Sequence, residues 1–203
     1  MNINFDTYFL EYVKTDDIFN DILNFLNSHS QHKTIKHLLN VSEKGTEFAE
    51  KYGENIYKIK LAAYFHDISV IIPNENKIEY AEHYNIKILD EERIFPMIIH
   101  QKISREIAER IFGLKDIEIL NAIECHTTLK AFPTRLDMIL FIADKIKWDQ
   151  EGDPPYLEEI ETGLKNSLEN GVKNFIKYWT DNKHPLKVVH PQLIEAYKYF
   201  ENK

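Results

Sequence analysis

The chain has 203 residues, of which 43% are apolar, and this is the size and composition of one ordinary globular domain. Its 25 basic and 33 acidic residues give a net charge of -8, which argues against a surface that binds nucleic acid by neutralising phosphates. Cys125 is the only cysteine, which excludes an intrachain disulfide and a cysteine-based zinc cluster and fits a reducing cytoplasm. The first ten residues do not resemble a signal peptide, and no apolar segment approaches the roughly 20 residues of a membrane span, so we expect a cytoplasmic protein.

Helical periodicity runs along almost the whole chain and predicts an all-α fold. Apolar residues recur at spacings of three and four, as in Ile103, Ile107 and Ile111, whereas sustained two-residue alternation is nearly absent. Glycines and prolines mark the expected ends of these helices. They stand at Gly53, Pro73, Gly113 and Pro133.

The segment 151–156, with the sequence EGDPPY, is the strongest break in the helical pattern. Beyond it we expect a helix that runs to about Asp181, with Gly171 as a candidate interruption. A final helix is expected to start at Pro191, with His190 as its N-cap. The chain is thus predicted to be one compact helical bundle, with an N-terminal extension at 1–16, a core at 17–150 and further helices at 151–203 packed on the same domain.

Several polar side chains lie on faces that are otherwise apolar. Asp144 lies among Leu140, Phe141 and neighbouring apolar residues, and an ionised carboxylate there is costly unless it is paired, capping or bound to a metal. His126, His66 and His100 also follow or open apolar helical faces, and His66 is followed at once by Asp67. Each alone fits a buried structural residue, but convergence on a metal ion explains them together, because divalent metals take imidazole and carboxylate ligands.

A further histidine on the N-terminal side remains ambiguous at this point. His29 has Leu26, Phe25 and Ile22 behind it, whereas the face of His37 includes polar residues. Periodicity alone does not separate His29 from His37.

With these residues in order, the chain resembles the HD-domain superfamily of metal-dependent phosphohydrolases. The resemblance extends from about His37 to Asp144, and within the superfamily it is closest to the YqeK-like, symmetrical bis(5'-nucleosyl)-tetraphosphatase group. The late segment KVVHPQLIEAY adds to it. The motifs that carry it are HLLNV, LAAYFHDIS, IIHQKISREIAERIFG, NAIECHTT and LFIADKI.

The resemblance selects His37 over His29 and implies a dinuclear metal site with Asp67 as the bridge. One metal would be bound by His37, His66, Asp67 and Asp144, and the other by Asp67, His100 and His126. The resemblance implies iron, although manganese, cobalt or zinc would also suit these ligands.

The chain departs from the tetraphosphatase group around this ligand set. That group has a lysine near Val70, a glycine at the position of Gln101 and another at the position of Leu129. It also has a Glu-Pro-x-Arg string where this chain has Lys-Trp-Asp-Gln at 147–150. The ligands are therefore retained, while the surroundings that would contact a substrate differ.

The expected reaction is hydrolysis of a nucleotide phosphoanhydride by a metal-activated hydroxide, centred on Asp67 and His66. Diadenosine tetraphosphate, split into two ADP, is the expected substrate; the alternatives are an HD-type nucleotidase or phosphodiesterase, and a catalytically silent nucleotide-binding module.

No nucleic-acid or membrane partner is expected, and a homodimer is the candidate assembly. Other histidines are assigned to surface or capping roles, namely His32, His83, His184 and His190. The candidate phosphate contacts are Thr127, Thr128, Lys130 and Lys145, with Lys147 nearby; the lysines would fit a solvated surface equally well, and the threonines a helix cap.

Overall fold

A computed structural model describes residues 3–180 and 186–202 of the chain. Within these residues the structure consists of α-helices, short 3₁₀ turns and loops without a β-strand, which confirms the predicted all-α fold. None of these helices combines the length and the hydropathy of a membrane span. The α-helices are α1 (Ile18–Ser28), α2 (His32–Tyr52), α3 (Ile56–Phe65), α4 (Lys77–His83), α5 (Asp90–Ile94), α6 (His100–Arg110), α7 (Ile117–Cys125), α8 (Arg135–Ile146), α9 (Leu157–Leu164), α10 (Leu168–Thr180) and α11 (Pro191–Glu201). The 3₁₀ turns are Phe5–Phe9, Ile68–Ile71, Asn74–Asn76 and Pro96–Ile99.

Helix boundaries follow local capping chemistry. Asp17 accepts hydrogen bonds from the first free main-chain N–H groups of α1, and Thr134 and Asp137 form a reciprocal capping box at the start of α8. Gly53 ends α2 in the left-handed conformation, with a φ of 71°, where a side chain would be strained. The predicted break at Gly53 is therefore confirmed, as is the start of α11 at Pro191 with His190 as its N-cap.

Helices α3 and α8 form the centre of the bundle because they are apolar around most of their circumference. In α8 every residue from Leu136 to Ala143 is buried, and in α3 Ile59, Ala62 and Phe65 are inaccessible to solvent. Helices α2 and α7 pack against both of these helices, and α6 packs against α7. The residues just beyond the ends of α3, α7 and α8 consequently meet near one point.

The C-terminal helices differ from expectation at one position. Gly171 does not interrupt a helix but lies inside α10, and the break falls instead at 165–167. Gly163 and Gly171 lie where α9 and α10 approach most closely: a Cβ atom on Gly163 would collide with the main chain of Asn170, and one on Gly171 with the side chain of Leu164. Glycine serves here for close helix packing, which is why periodicity misplaced the break.

Both terminal segments pack against the rest of the bundle. In the C-terminal part, the ring of Phe175 in α10 packs edge-on against Phe141 in α8, with centroids 5.2 Å apart. In the N-terminal part, buried Phe5 packs against Tyr80 of α4 with the same centroid separation of 5.2 Å. The division of the chain at residues 16 and 150 stays a prediction.

Candidate metal centre

Six polar side chains from five helical segments converge at the centre of the bundle. His66 and His126 stand at the C-caps of α3 and α7, and Asp144 lies in the last turn of α8. His100 is the first residue of α6, and His37 lies near the start of α2. Asp67, which follows His66, completes the cluster. The predicted set is thus brought together by helix ends, where the chain turns and side chains can face one another.

The two carboxylate oxygens of Asp67 face different pairs of histidines. Oδ1 lies 3.1 Å from Nε2 of His100 and 3.5 Å from Nε2 of His126. Oδ2 lies 3.8 Å from Nε2 of His37 and 3.6 Å from Nε2 of His66. A carboxylate in this position can contribute one oxygen to each of two adjacent cations.

Asp144 joins only the first histidine pair. Its Oδ1 is 3.1 Å from Nε2 of His37 and 3.7 Å from Nε2 of His66. Its other oxygen accepts a hydrogen bond of 2.6 Å from Lys145. The cluster is therefore asymmetric, with two carboxylates beside His37 and His66 and one beside His100 and His126.

Main-chain carbonyl groups orient all four imidazoles. A carbonyl oxygen can only accept a hydrogen bond, so each Nδ1 carries a proton, and in a neutral imidazole Nε2 then presents its lone pair toward the cluster. The acceptors are the carbonyl of Lys147 for His37 (2.9 Å), of Ala63 for His66 (2.7 Å), of Met97 for His100 (2.6 Å) and of Ile123 for His126 (2.8 Å).

The inward-facing atoms fit a cation better than they fit one another. Nε2 of His37 and Nε2 of His66 are 3.1 Å apart, and those of His100 and His126 are 2.9 Å apart. With Nδ1 protonated, each pair brings two lone pairs together, an arrangement that a positive ion between them stabilises. Three overlapping triads have all ligand atoms within 4.8 Å of one another. They are His37–His66–Asp67, His66–His126–Asp144 and Asp67–His100–His126.

Three groups of the cluster, Asp67, Asp144 and His126, are shifted toward metal-binding protonation states. Burial alone would raise the pKa of Asp67, but His66, His100 and His126 bring it well below the ordinary value. The pKa of Asp144 is also well below the ordinary value, because Lys145, His37 and His66 outweigh burial. Burial lowers the pKa of His126 to about 4. Both carboxylates are therefore ionised and His126 is neutral at pH 7, as metal ligands must be. Burial alone would lower the pKa of a fourth group, His37, but Asp144 and Asp67 raise it above the ordinary value, so a cation competes with a proton there.

The other histidines that the structure describes lie outside the cluster. His29 is half-buried at the C-cap of α1, and its Nδ1 lies 2.9 Å from the carbonyl oxygen of Phe25, so it belongs to the local helix end. His32 and His83 are exposed, and buried His190 caps α11 while its Nε2 lies 3.4 Å from Glu92. His184 lies outside the described residues.

A cavity of about 560 Å³ opens beside the cluster. Thr127 and Lys145, two of the predicted phosphate contacts, line it together with Asp67 and His100. Tyr156, the last residue of the 151–156 break, is buried and lines the cavity as well. The C-terminal part of the chain thus contributes to one wall of the site.

The structure gives the other two predicted phosphate contacts different partners. Lys130 forms an ion pair of 2.9 Å with Asp137, whose carboxylate is buried under the start of α8. Thr128 is buried, and its hydroxyl lies within 3.1 Å of the side chains of Gln101 and Gln192. Neither residue lines the cavity, because the chain turns away from it directly after Thr127.

Two positions where the chain departs from the resembled group support this same turn: Leu129 lies in it, and Gln101 contacts it from α6. The buried Oε1 of Gln101 accepts hydrogen bonds from the main-chain N–H groups of Thr127 (3.0 Å) and Thr128 (3.3 Å). Leu129 is fully buried and adopts a positive φ of 57°, a conformation in which glycine is unstrained. The Gln101 side chain and the buried Leu129 together fix the turn that follows His126.

Lys77 and Trp148 are among the cavity residues that the sequence did not single out as site residues. Lys77 is only 5% exposed yet lines the cavity, and Trp148 lines it from the loop after α8. A signal for Lys77 was present in the sequence: Tyr80 and Ala81, one turn further along α4, are both buried, so Lys77 shares an inward face. For Trp148 no pattern existed, because the loop has no regular period.

Comparison with known proteins places this geometry in context. A family model described as the HD domain matches residues 34–149. A relative from Lactococcus lactis subsp. cremoris, named "Uncharacterized protein in pepC 5'region", is 45% identical over 142 residues, 70% of this chain and 72% of the relative. The symmetrical bis(5'-nucleosyl)-tetraphosphatase of Bacillus subtilis (strain 168) is 28% identical over 163 residues, 77% of this chain and 84% of that protein.

A solved structure has a similar fold over nearly its whole length. It is the crystal structure of a predicted HD superfamily hydrolase involved in NAD metabolism from Clostridium acetobutylicum. The two chains superpose with a TM-score of 0.78 and 28% sequence identity, over 91% of this chain and 97% of that one.

Proposed function

The chain belongs to the HD domain family, and on that premise we propose that it is a metal-dependent phosphohydrolase that cleaves a phosphoanhydride bond of a nucleotide. The proposed substrate is diadenosine tetraphosphate, split symmetrically into two ADP. The proposed ligands are the six residues of the cluster, with Asp67 and His66 at its centre.

The observation that carries this proposal is the position of Asp67 between two histidine pairs. Its two oxygens lie 3.1 Å from His100 and 3.6 Å from His66 on opposite sides. We infer two metal ions, one with His37, His66, Asp67 and Asp144 and the other with Asp67, His100 and His126. Iron is the proposed metal, and manganese, cobalt or zinc would also accept imidazole and carboxylate ligands.

When bound, such ions would supply Lewis acidity toward phosphate oxygens and a lower pKa for the attacking water. The protein residues perform the remaining tasks. The carbonyl groups that accept from Nδ1 hold each imidazole in the orientation that ligation requires, and the ionised Asp67 and Asp144 compensate positive charge at the centre.

The cavity walls supply groups that can contact a polyphosphate. The Thr127 hydroxyl lies 3.3 Å from Nε2 of His100, beside the centre, and can donate a hydrogen bond to a phosphate oxygen. The ammonium of Lys145 pairs with Asp144 and places positive charge at the same wall. We propose that Thr127 and Lys145 contact the substrate, whose anionic phosphates need local cations because the chain is acidic overall.

Similarity to named enzymes supports the choice of a dinucleotide. The tetraphosphatase of Bacillus subtilis is one such relative. The symmetrical bis(5'-nucleosyl)-tetraphosphatase of Staphylococcus aureus (strain NCTC 8325 / PS 47) is 30% identical over 115 residues, 57% of this chain and 59% of that protein. Because the residues around the cluster differ from the resembled group, the substrate needs a direct test.

The test combines metal analysis with a substrate panel. Purified protein is analysed for bound metal and incubated with diadenosine tetraphosphate, ATP, ADP, AMP and cyclic nucleotides, and the products are separated by chromatography. ADP as the sole product from the dinucleotide is the expected result. ATP with AMP would show asymmetric cleavage and contradict the proposal.

Other outcomes identify the alternatives. Turnover of mononucleotides or cyclic nucleotides, but not of the dinucleotide, would make the protein a nucleotidase or phosphodiesterase. Nucleotide binding without turnover in the metal-loaded protein would make it a binding module. Absence of bound metal, with no affinity for added iron or manganese, would overturn the hydrolase proposal in every form.

A further inference from the structure

Lys77 is a buried lysine on the wall of the cavity. It is the first residue of α4, directly after the 3₁₀ turn Asn74–Asn76, and only 5% of it is exposed. Asn74, which is exposed, lines the same cavity beside it. Position on an inward helical face explains the burial, but it does not explain why the side chain is a cation.

The ammonium of Lys77 has a neutral hydrogen-bond partner. Its Nζ donates to Oδ1 of Asn74 over 2.6 Å. In the part of the chain that the structure describes, no carboxylate lies within ion-pair distance of it. By contrast, buried Lys102 pairs with Glu92 at 2.8 Å, and Lys145 pairs with Asp144 at 2.6 Å. Lys77 is therefore a desolvated cation that lacks a counter-charge.

A buried cation in this state gains from an anionic ligand. Burial lowers the pKa of Lys77, while the more distant charges of Asp67 and Glu75 act in the opposite direction. Asp67 belongs to the metal cluster, so its charge is shared with other groups. An ammonium is a compact charge that binds phosphate oxygens well, and the cavity leaves room for them.

We propose that Lys77 and Asn74 form a phosphate-binding subsite of the cavity, which holds one phosphate of a polyphosphate chain while the cleaved linkage lies at the cluster. This inference rests on the proposed function, and it deepens that function by assigning a substrate class. Lys77, Asp67 and His100 line one cavity of about 560 Å³, so a ligand with several linked phosphates is the class expected to contact both Lys77 and the cluster. The amide of Asn74 accepts from Lys77 through Oδ1, which leaves its Nδ2 free to donate to the same phosphate.

The test compares Lys77→Met with Lys115→Met, since both changes remove one positive charge and keep an unbranched side chain. Lys115 is exposed and lies before α7, at the end of that helix opposite to His126. ADP, the proposed product, is titrated calorimetrically into each protein as purified, after its metal content has been matched. We expect Lys77→Met to weaken ADP binding by roughly 10- to 100-fold, the range for a charged hydrogen bond, and Lys115→Met to leave it unchanged.

Thermal unfolding without nucleotide separates a binding role from a structural one. If Lys77 is held ready for an anion, Lys77→Met removes a desolvation cost, and the melting temperature stays the same or rises. A lower melting temperature with unchanged ADP affinity would overturn the proposal. Lys77→Gln serves as a second variant, and failure of both variants to fold would also overturn it, because the lysine would then be structural.

The two proposals can fail separately. Weaker ADP binding by Lys77→Met, in a protein that does not hydrolyse diadenosine tetraphosphate, would support the subsite and contradict the proposed function. Symmetrical hydrolysis by the wild type with the same KM and ADP affinity in Lys77→Met would support the function and overturn the subsite.

Discussion

The imidazole of His37 donates its Nδ1–H to the main-chain oxygen of Lys147, 110 residues further along the chain, over 2.9 Å. This hydrogen bond joins α2 to the residue that ends α8. It also turns Nε2 of His37 toward Asp144, at 3.1 Å. The orientation of His37 therefore depends on a loop whose sequence, at 147–150, differs from that of the resembled group.

Replacing His37 and His29 in turn tests which histidine serves the metal centre. His37→Ala is expected to reduce bound metal by about half or more, because it removes a ligand beside Asp144, whereas His29→Ala is expected to leave the metal content unchanged. Elemental analysis of both purified variants decides the matter. Loss of metal in His29→Ala alone would reverse the assignment.

Asp67→Asn tests the proposed bridge. The change keeps the shape but removes the charge that faces both histidine pairs, so we expect turnover to fall about a thousandfold or more, corresponding to roughly 4 kcal/mol of lost transition-state stabilisation. Initial rates and metal content would be measured together. Asp90→Asn, at an exposed position in α5, is the matched control. Near wild-type turnover in Asp67→Asn would show that the centre is misplaced.

Gln101→Met tests the support of the turn after His126. The change leaves the main-chain N–H groups of Thr127 and Thr128 without their acceptor, and each such buried group costs about 1–3 kcal/mol. Because two such groups lose their acceptor, urea unfolding should show a loss of about 2–6 kcal/mol, toward the lower end because the N–H of Thr127 is only partly buried, with an increase in KM as Thr127 shifts. Gln31→Met is the control for the replacement of a glutamine by methionine. An unchanged unfolding midpoint in Gln101→Met would mean that other groups hold the turn.

Lys130→Met is expected to affect stability rather than substrate binding. It removes the partner of the buried Asp137 carboxylate, and we expect the free energy of unfolding to fall by about 1–3 kcal/mol. This is less than the loss of a fully buried ion pair would cost, because Lys130 is itself partly exposed. Denaturant unfolding measures the loss, and steady-state kinetics should give an unchanged KM. A raised KM with wild-type stability would restore Lys130 as a phosphate contact.

Glu92 gives the fold a predicted dependence on acid. Burial alone would raise the pKa of its carboxyl, but His190, Lys102 and the main-chain N–H of Leu89 bring it below the ordinary 4.5. A depressed folded-state pKa means that its contribution to stability is fully present above about pH 4.5 and is lost as the pH falls through the folded-state value. Unfolding free energy measured from pH 7 to pH 3 should thus fall less steeply in Glu92→Gln than in the wild type. Parallel curves for the two proteins would exclude this role.

The sequence predicted the fold class and most of the cluster residues, and the reason is physical. Histidines and aspartates on apolar helical faces must point inward, and helical periodicity reports that direction for His66, His126 and Asp144. It does not report which inward residues meet, so His37 and His29 could be separated only by resemblance before the structure placed His37 at the cluster.

Loops and helix contacts were harder to predict. The direction of the turn after Thr127 depends on Gln101 and Leu129, and local sequence does not encode it, so the ion pair of Lys130 with Asp137 outside the cavity lining was not foreseen. Gly171 was interpreted as a break because glycine weakens isolated helices, whereas α9 and α10 require it for close approach. Lys77 was overlooked because a lysine is ordinarily assigned to solvent.

The dispersal of the six polar side chains over five helical segments has a consequence for the lifetime of the protein. Cations bound by these side chains bind only the completed bundle, so each would stabilise the folded chain by mass action, by about 2.7 kcal/mol at a free concentration 100 times its Kd. When metal is scarce, the chain would unfold more often and be degraded faster. Cellular abundance of the protein should therefore follow the metal supply, even in cells that contain none of its substrate.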